Sequence, residues 1–119
     1  MVTVNKVFND EGIKFDSKLE MYCYETLKEA GLYFIFQYKY VLQDKFRYNN
    51  ESVRQITLTV DFYLPDLNII IDTKGYQRED NKLKWKMLKA KLKENSPVIH
   101  FPKSQKSVVA LIRNIIIEQ

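Results

Sequence analysis

Apolar and polar positions recur with two different periods along the chain, and these periods predict a series of helices and strands. In residues 16–31 (DSKLEMYCYETLKEAG) apolar side chains return every three to four positions. This spacing predicts a helix that is capped by Asp16 or Ser17 and closed by Gly31. Strands are predicted where apolar residues alternate or run together, at 33–42, 56–64, 68–73 and 97–101.

Two further helices are predicted in the second half of the chain. Asp80 can cap a helix that runs to about Glu94, and Ser104 or Ser107 can begin a final one. Residues 43–55 form either a hairpin connection or an exposed loop. The order helix, three strands, helix, strand, helix predicts an α/β fold, with a mixed central β-sheet flanked by helices on both faces.

The predicted helix from Asp80 is apolar on two sides. One stripe contains Trp85, Leu88 and Leu92, and the opposite stripe contains Leu83, Met87 and Ala90. Four lysines lie between the stripes on one edge, at positions 82, 86, 89 and 93. We expect one stripe to cover the sheet and the other to contact the final helix or a second subunit.

Length and composition indicate one ordinary globular domain spanning residues 1–119. Of its residues, 45% are hydrophobic and 29% are charged, which is enough for a single core. Cys23 is the only cysteine, so an internal disulfide and a cysteine-rich zinc site are excluded, and a cytoplasmic location is expected. No run of about 18 apolar residues is present, so no membrane span is predicted.

The positive charge of the chain is concentrated in one segment. Residues 74–93 contain eight Lys or Arg against Glu79 and Asp80, a net charge of +6, whereas the whole chain carries +4. A basic block in a nearly neutral chain is typical of a patch that binds a polyanion such as nucleic acid, although lysine-rich helices also serve solubility alone.

The segment VDFYLPDLNIIIDTKG, residues 60–75, carries two aspartates within apolar strands. If Pro65–Asn68 is a four-residue turn, Asp61 lies directly across the hairpin from Asp72, and strand alternation puts Lys74 on their face. The opposite, core face is predicted to contain Val60, Phe62, Leu64, Ile69 and Ile71.

Opposed carboxylates in a sheet repel each other, so this hairpin needs a compensating group. A divalent cation is one candidate, because two converging carboxylates are natural oxygen ligands for Mg²⁺. A shared proton or Lys74 alone could also compensate. The alternative is that Asp61 ends its strand at the surface and that Asp72 and Lys74 form a solvated ladder.

The motifs F-D-S-K-L-E, L-K-E-A-G-L-Y-F and V-D-F-Y-L-P-D-L-N-I-I-I-D-T-K-G resemble, in order and spacing, the PD-(D/E)xK nuclease superfamily. Within it they are most similar to the phage endonuclease I group of Holliday-junction resolvases and to related short phage proteins. The resemblance covers roughly residues 15–101. Val60 stands in place of the motif's proline, and Asp72 is the acidic residue that the motif allows.

The resemblance implies a restriction-endonuclease-like core with Glu20, Asp61, Asp72 and Lys74 as catalytic residues. The three carboxylates would bind Mg²⁺, for which Mn²⁺ could substitute, and Lys74 would orient or deprotonate water or steady the developing charge. Glu20 has an alternative role, because Ser17-x-x-Glu20 is also a helix capping box.

The leading functional hypothesis is an Mg²⁺-dependent, phage- or mobile-element-encoded endodeoxyribonuclease that acts as a homodimer in the host cytoplasm. The resemblance implies branched or Holliday-junction DNA as substrate. The predicted DNA-binding residues are Arg78, Lys82, Lys86, Lys89 and Lys93, which would hold the backbone without reading bases. The alternatives are a nicking or end-processing nuclease without junction preference and a catalytically silent nucleic-acid-binding module.

Overall fold

A four-stranded mixed sheet forms the centre of the molecule in a computed structural model, which describes residues 6–74, 79–93 and 96–118. Its strands are β3 (Ile35–Gln43), β6 (Ile56–Leu64), β7 (Ile69–Ile71) and β8 (Val98–His100). They lie in the order β3-β6-β7-β8, in which β7 and β8 are parallel and the other neighbours are antiparallel. The predicted hairpin followed by a strand–helix–strand crossover is therefore confirmed.

Two short hairpins lie outside this sheet. The first, β1 (Val7–Phe8) with β2 (Lys14–Phe15), precedes the first helix and was not predicted. The second, β4 (Phe46–Tyr48) with β5 (Glu51–Val53), lies between β3 and β6. The segment 43–55 therefore contains an ordered hairpin and not an irregular loop.

Three helices cover the sheet, namely α1 (Lys18–Glu29), α2 (Glu79–Leu92) and α3 (Gln105–Ile117). Helices α1 and α3 pack on one face with Phe62, and α2 packs on the other with Ile70. The prediction of a mixed sheet with helices on both faces is confirmed. None of the helices in the described part of the chain has the length and apolarity that a membrane crossing requires.

Local signals at the ends of α1 and α3 agree with the predictions. Ser17 is the N-cap of α1 and Ser104 that of α3, each accepting a hydrogen bond from a backbone N–H three residues later. Gly31 follows α1 in a left-handed conformation with φ of 71°, and Leu32 N–H donates to the Leu27 carbonyl. These bonds close the helix end with a Schellman motif.

Helix α2 differs from its prediction at the start and on its second apolar side. It already begins at Glu79, so Asp80 lies inside the helix and is not its cap, and the predicted end at Glu94 lies outside the described residues. Trp85 and Leu88 are buried against the sheet as expected. Leu83 on the other side stays 59% exposed, so α3 does not cover that stripe.

The prediction that Val60 shares a core face with Phe62 is wrong. Phe62 packs with α1 and α3, whereas Val60 packs with α2. On the neighbouring strand, Phe36 and Tyr38 are divided between the same two faces, and Gln37 between them has φ of 55°. A residue in the left-handed region turns a strand out of regular alternation, which explains why residues two apart face opposite sides here.

Candidate functional site

The turn between β6 and β7 brings Asp61 and Asp72 together. The pairs Leu64 with Ile69 and Phe62 with Ile71 confirm the predicted register, and Asp61 and Asp72 follow directly after the last pair. Asp72 Oδ2 accepts a hydrogen bond from the Asp61 backbone N–H at 3.1 Å. The Asp72 carboxylate thus accepts from a backbone N–H that, in a regular antiparallel pair, would donate to a backbone carbonyl of the neighbouring strand.

Asp61 is held by the residue that follows Asp72. Its Oδ2 accepts from the Thr73 N–H at 2.8 Å and from the Thr73 hydroxyl at 2.7 Å. Asp72 Oδ1 accepts in turn from the Lys74 N–H at 3.0 Å. Both aspartates are buried, at 2% and 4% exposure, and these bonds hold their carboxylates in place.

Lys74 brings its ammonium group into contact with three carboxylates. Its Nζ lies 2.5 Å from Asp16 Oδ2, 3.4 Å from Asp61 Oδ1 and 3.6 Å from Glu20 Oε2. The predicted residues Glu20, Asp61 and Lys74 therefore meet directly, and Asp72 joins them because its carboxylate accepts from the backbone N–H groups of Asp61 and Lys74. We call Glu20, Asp61, Asp72 and Lys74 the acidic cluster.

Glu20 lies both at the start of α1 and in the acidic cluster, but its side chain accepts from Asp16 and not from the Ser17 N–H, so the predicted capping box is not completed. Its backbone N–H donates to the Ser17 cap, and its Oε1 accepts from the Asp16 N–H at 3.1 Å, which anchors the chain before α1. Its Oε2 is buried without a hydrogen-bond partner and faces the Lys74 ammonium. Glu20 Oε1 therefore binds the backbone just before α1, and Oε2 faces the other residues of the acidic cluster.

Asp16 is a contributor that the sequence did not reveal. The pattern suggested only a capping role for it, yet it links Lys74 to Lys6, whose Nζ lies 2.5 Å from Asp16 Oδ1. A carboxylate beside a helix cap is too common a feature to indicate such a contact. The neighbouring lysines, Lys6 first and Lys74 second, lower the pKa of Asp16 to about 2.

Burial and crowding of charge shape the protonation of this region. Burial raises the pKa of Glu20 to about 7, and the adjacent Asp61 carboxylate acts in the same direction. Burial alone would lower the pKa of Lys74, but the carboxylates of Asp61, Asp16 and Glu20 more than reverse this, so it lies above its ordinary value. Lys74 is therefore an ammonium at neutral pH.

The chemistry of the cluster fits a divalent cation, although its present arrangement does not form a finished site. Within residues 6–74, 79–93 and 96–118, no three His, Cys, Asp or Glu side chains are grouped so that they could hold a metal ion. However, the donors are all carboxylate oxygens, which hard cations such as Mg²⁺ prefer, and the single cluster lysine cannot neutralise three carboxylates. The buried Glu20 Oε2 has no hydrogen-bond partner, and a proton or a cation could satisfy it.

Three lysines of α2 and Lys93, which directly follows the helix, form the second part of the candidate site. Lys86, Lys89 and Lys93 are exposed, and Lys82 is half-buried. We call these four residues the lysine edge. Arg78 lies outside the described residues.

Comparison with known proteins places the chain in one family. The model of the family described as "Protein of unknown function (DUF1064)" matches residues 3–106, so the chain belongs to this family. The match includes the acidic cluster and the lysine edge. No curated protein and no solved structure matches the chain.

Proposed function

We propose that the protein is a metal-dependent DNA endonuclease with a restriction-endonuclease-like core. The observation that supports this most strongly is the acidic cluster, in which the Lys74 ammonium lies 3.4 Å from Asp61 and 3.6 Å from Glu20 beside the β6–β7 hairpin. The mixed sheet with helices on both faces is the scaffold that such a core requires. The resemblance of the motifs to PD-(D/E)xK nucleases supports the same reading.

Glu20, Asp61 and Asp72 would hold Mg²⁺, or Mn²⁺ in its place. The bound cation would supply Lewis-acid polarisation of the scissile phosphate. The protein's own part is to present oxygen ligands whose positions are already set by backbone N–H groups of Asp16, Thr73 and Lys74.

Lys74 acts as a hydrogen-bond donor in this proposal. Its ammonium orients the attacking water and steadies the negative charge that develops on the phosphate oxygens. The products are a 5′-phosphate and a 3′-hydroxyl end, as the resemblance implies. Positioning of water and phosphate by a fixed ammonium removes part of the entropic barrier.

The lysine edge holds the DNA backbone. Helix α2 begins five residues after Lys74, so its lysines lie on the segment that leaves the cluster. Contacts from lysines to phosphates carry no sequence information, which suits an enzyme that recognises DNA shape. We therefore retain branched DNA, including Holliday junctions, as the proposed substrate, acted on by a homodimer in the cytoplasm of the host cell.

A catalytically silent nucleic-acid-binding module is the second candidate. One observation favours it: the carboxylates already accept backbone hydrogen bonds, and no metal-holding group of three is formed among the described residues. In such a module Lys74 would be a structural counter-ion for the buried carboxylates.

A cleavage assay separates these functions. The purified protein is incubated with Mg²⁺ or Mn²⁺ and with linear, nicked and four-way DNA, beside Lys74→Ala and Asp72→Asn variants. We expect cleavage of the four-way DNA in preference to the other forms. Lys74→Ala should retain DNA binding and lose cleavage by about a hundredfold or more, because one charge-stabilising donor is removed.

The outcomes distinguish the candidates. Absence of cleavage of every substrate with intact binding supports the silent module, and equal cleavage of all forms excludes junction preference. Full activity of Lys74→Ala would remove Lys74 from the mechanism. Glu29→Gln, an exposed substitution on α1, serves as the matched control and should cut like the unaltered protein.

A further inference from the structure

The β4–β5 hairpin, residues 46–53, is a surface element that the acidic cluster and the lysine edge do not explain. We call it the ribbon. Every residue from Gln43 to Ser52 is exposed. Its two strands pair with each other and not with the central sheet. The ribbon is therefore a surface element separate from the central sheet.

The ribbon is a regularly paired hairpin in spite of its exposure. Tyr48 pairs with Glu51 across a two-residue turn in which Asn49 and Asn50 have φ of 45° and 68°. Positive φ at both positions is the geometry of a type I′ turn, whose twist matches that of the two strands. Arg47 donates to the Asn50 carbonyl at 3.0 Å, which fixes its guanidinium beside the turn.

The side chains of the ribbon combine exposed aromatics with cations. Phe46 and Tyr48 are 44% and 63% exposed, although such large apolar groups usually pack. They are two residues apart on one strand, so they share a face, and Arg47 lies on the opposite face. From Lys45 to Arg54 three cations stand against the single anion Glu51.

The lysine edge leads from the acidic cluster toward the ribbon. Trp85 of α2 belongs to the same apolar cluster as Val60, the neighbour of Asp61 in the sequence. Six residues further along α2, Lys91 Nζ donates a hydrogen bond to the Val41 carbonyl near the end of β3. The helix thus runs from the level of the cluster toward the end of the sheet from which the ribbon emerges. At ~3.3 Å per residue, the separation of Asn50 and Asp61 along the chain limits their distance to at most about 36 Å, so one DNA molecule can reach both.

We propose that the ribbon binds an unpaired strand of branched DNA, with Phe46 and Tyr48 stacked on bases and Arg47 and Arg54 on phosphates. This rests on the proposed nuclease function and names the part of the substrate that is recognised away from the cut. Exposed aromatics beside arginines bind single strands because every base offers a stacking face and every nucleotide a phosphate. Together with the flanking Lys45 and Arg54 the ribbon carries a net charge of +2 over residues 45–54, so a polyanion is favoured as occupant over a second copy of the same segment.

Equilibrium binding tests this without cleavage. The full-length protein is titrated, in EDTA, into labelled splayed-arm DNA and into a blunt duplex with the same paired length, and binding is followed by fluorescence anisotropy. The Phe46→Ala/Tyr48→Ala variant should bind the splayed-arm DNA about tenfold more weakly or worse, and the duplex within about twofold of the unaltered protein. Arg47→Gln/Arg54→Gln should lower the slope of log affinity against log salt by about 1.4 on the splayed arm.

Matched controls are available on other surfaces. Tyr33→Ala removes an aromatic that is 60% exposed, and Arg113→Gln removes an exposed arginine of α3. Both controls should bind like the unaltered protein. Because all of these side chains are exposed, the melting temperature of each variant should stay within about 2 °C of the original.

Each contrary result has a distinct meaning. Suppose that the unaltered protein binds DNA and that the ribbon variants bind each DNA form as tightly as the unaltered protein does. The ribbon proposal is then overturned and the nuclease proposal stands. Equal loss on duplex and splayed-arm DNA overturns the preference for unpaired strands. A change in sedimentation without a change in DNA affinity makes the ribbon a self-association surface, and absence of DNA binding by the unaltered protein overturns both proposals.

Discussion

Glu20 is the residue at which structural and proposed catalytic demands meet. Its fully buried carboxylate binds the Asp16 N–H just before α1 with one oxygen and leaves the other without a hydrogen bond beside Asp61 and Lys74. A buried carboxylate next to another one is stabilised when it is protonated, and this explains why its pKa rises to about 7.

The contribution of Glu20 to the stability of the metal-free protein should therefore fall as pH rises from about 4.5 to 7, whereas His100, whose pKa is lowered by burial, contributes in the opposite direction. Between these values the unfolded chain has lost the Glu20 proton and the folded chain has kept it, so this contribution to the free energy of unfolding decreases with pH, by at most about 3 kcal/mol in total. Urea unfolding in EDTA at several pH values measures this.

Glu20→Gln should remove this pH dependence, whereas Glu29→Gln on the exposed side of the same helix should keep it. If the unfolding free energies of the unaltered protein and of Glu20→Gln changed with pH in the same way over that interval, the protonation of buried Glu20 would be contradicted.

At the scale of elements, the N-terminal end of α1 couples helix capping to the acidic cluster. Ser17 Oγ accepts from the Glu20 N–H at 3.0 Å, so the cap and the cluster residue are one structural unit. Helix α3 has an equivalent cap in Ser104, which accepts from the Ser107 N–H at 3.1 Å and lies outside the acidic cluster. Substitution of Ser104 therefore measures the effect of losing a cap that is not connected to the acidic cluster.

Ser17→Ala and Ser104→Ala should each lower the free energy of unfolding by about 1 kcal/mol, because each leaves a helix N–H without its acceptor. Only Ser17→Ala should also reduce cleavage, since it loosens the backbone that carries Glu20. Unfolding curves and cleavage rates of the two variants, measured side by side, check this. Equal losses of cleavage in both variants would show that general destabilisation, and not the position of Glu20, is responsible.

At the scale of the whole molecule, α2 has a second apolar side that the described part of the chain does not fully cover. Leu83 is 59% exposed, and Ala90 on the same stripe is exposed as well. An enzyme that cuts two strands of a junction needs two active sites, which a two-fold dimer supplies. A dimer formed through this stripe of α2 would contain two acidic clusters, one from each subunit.

We expect the unaltered protein to sediment as a dimer and Leu83→Lys to sediment as a monomer, because a lysine ammonium at the centre of an apolar contact loses its hydration. Ile117→Lys is the matched control: Ile117 is 72% exposed but lies at the end of α3, and its replacement should leave the dimer intact. A monomeric unaltered protein would exclude dimerisation through α2 and favour nicking of single strands.

The predictions that succeeded depend on residues close together in the chain. The turn Pro65–Asn68 and the alternation around it place Asp61 next to Asp72, and the register that follows was predicted correctly. The cap at Ser17 and the left-handed Gly31 were likewise readable, because both are determined by short-range hydrogen bonds and backbone sterics.

Features that the sequence did not reveal depend on packing between distant segments. The left-handed Gln37 interrupts the alternation of β3, and on the paired strand β6 Val60 packs with α2 whereas Phe62 packs with α1 and α3. The contact of Asp16 with Lys74 joins segments 58 positions apart. Such contacts arise when helices and sheet dock, and they follow from how whole surfaces fit together, which no local pattern of residue types encodes.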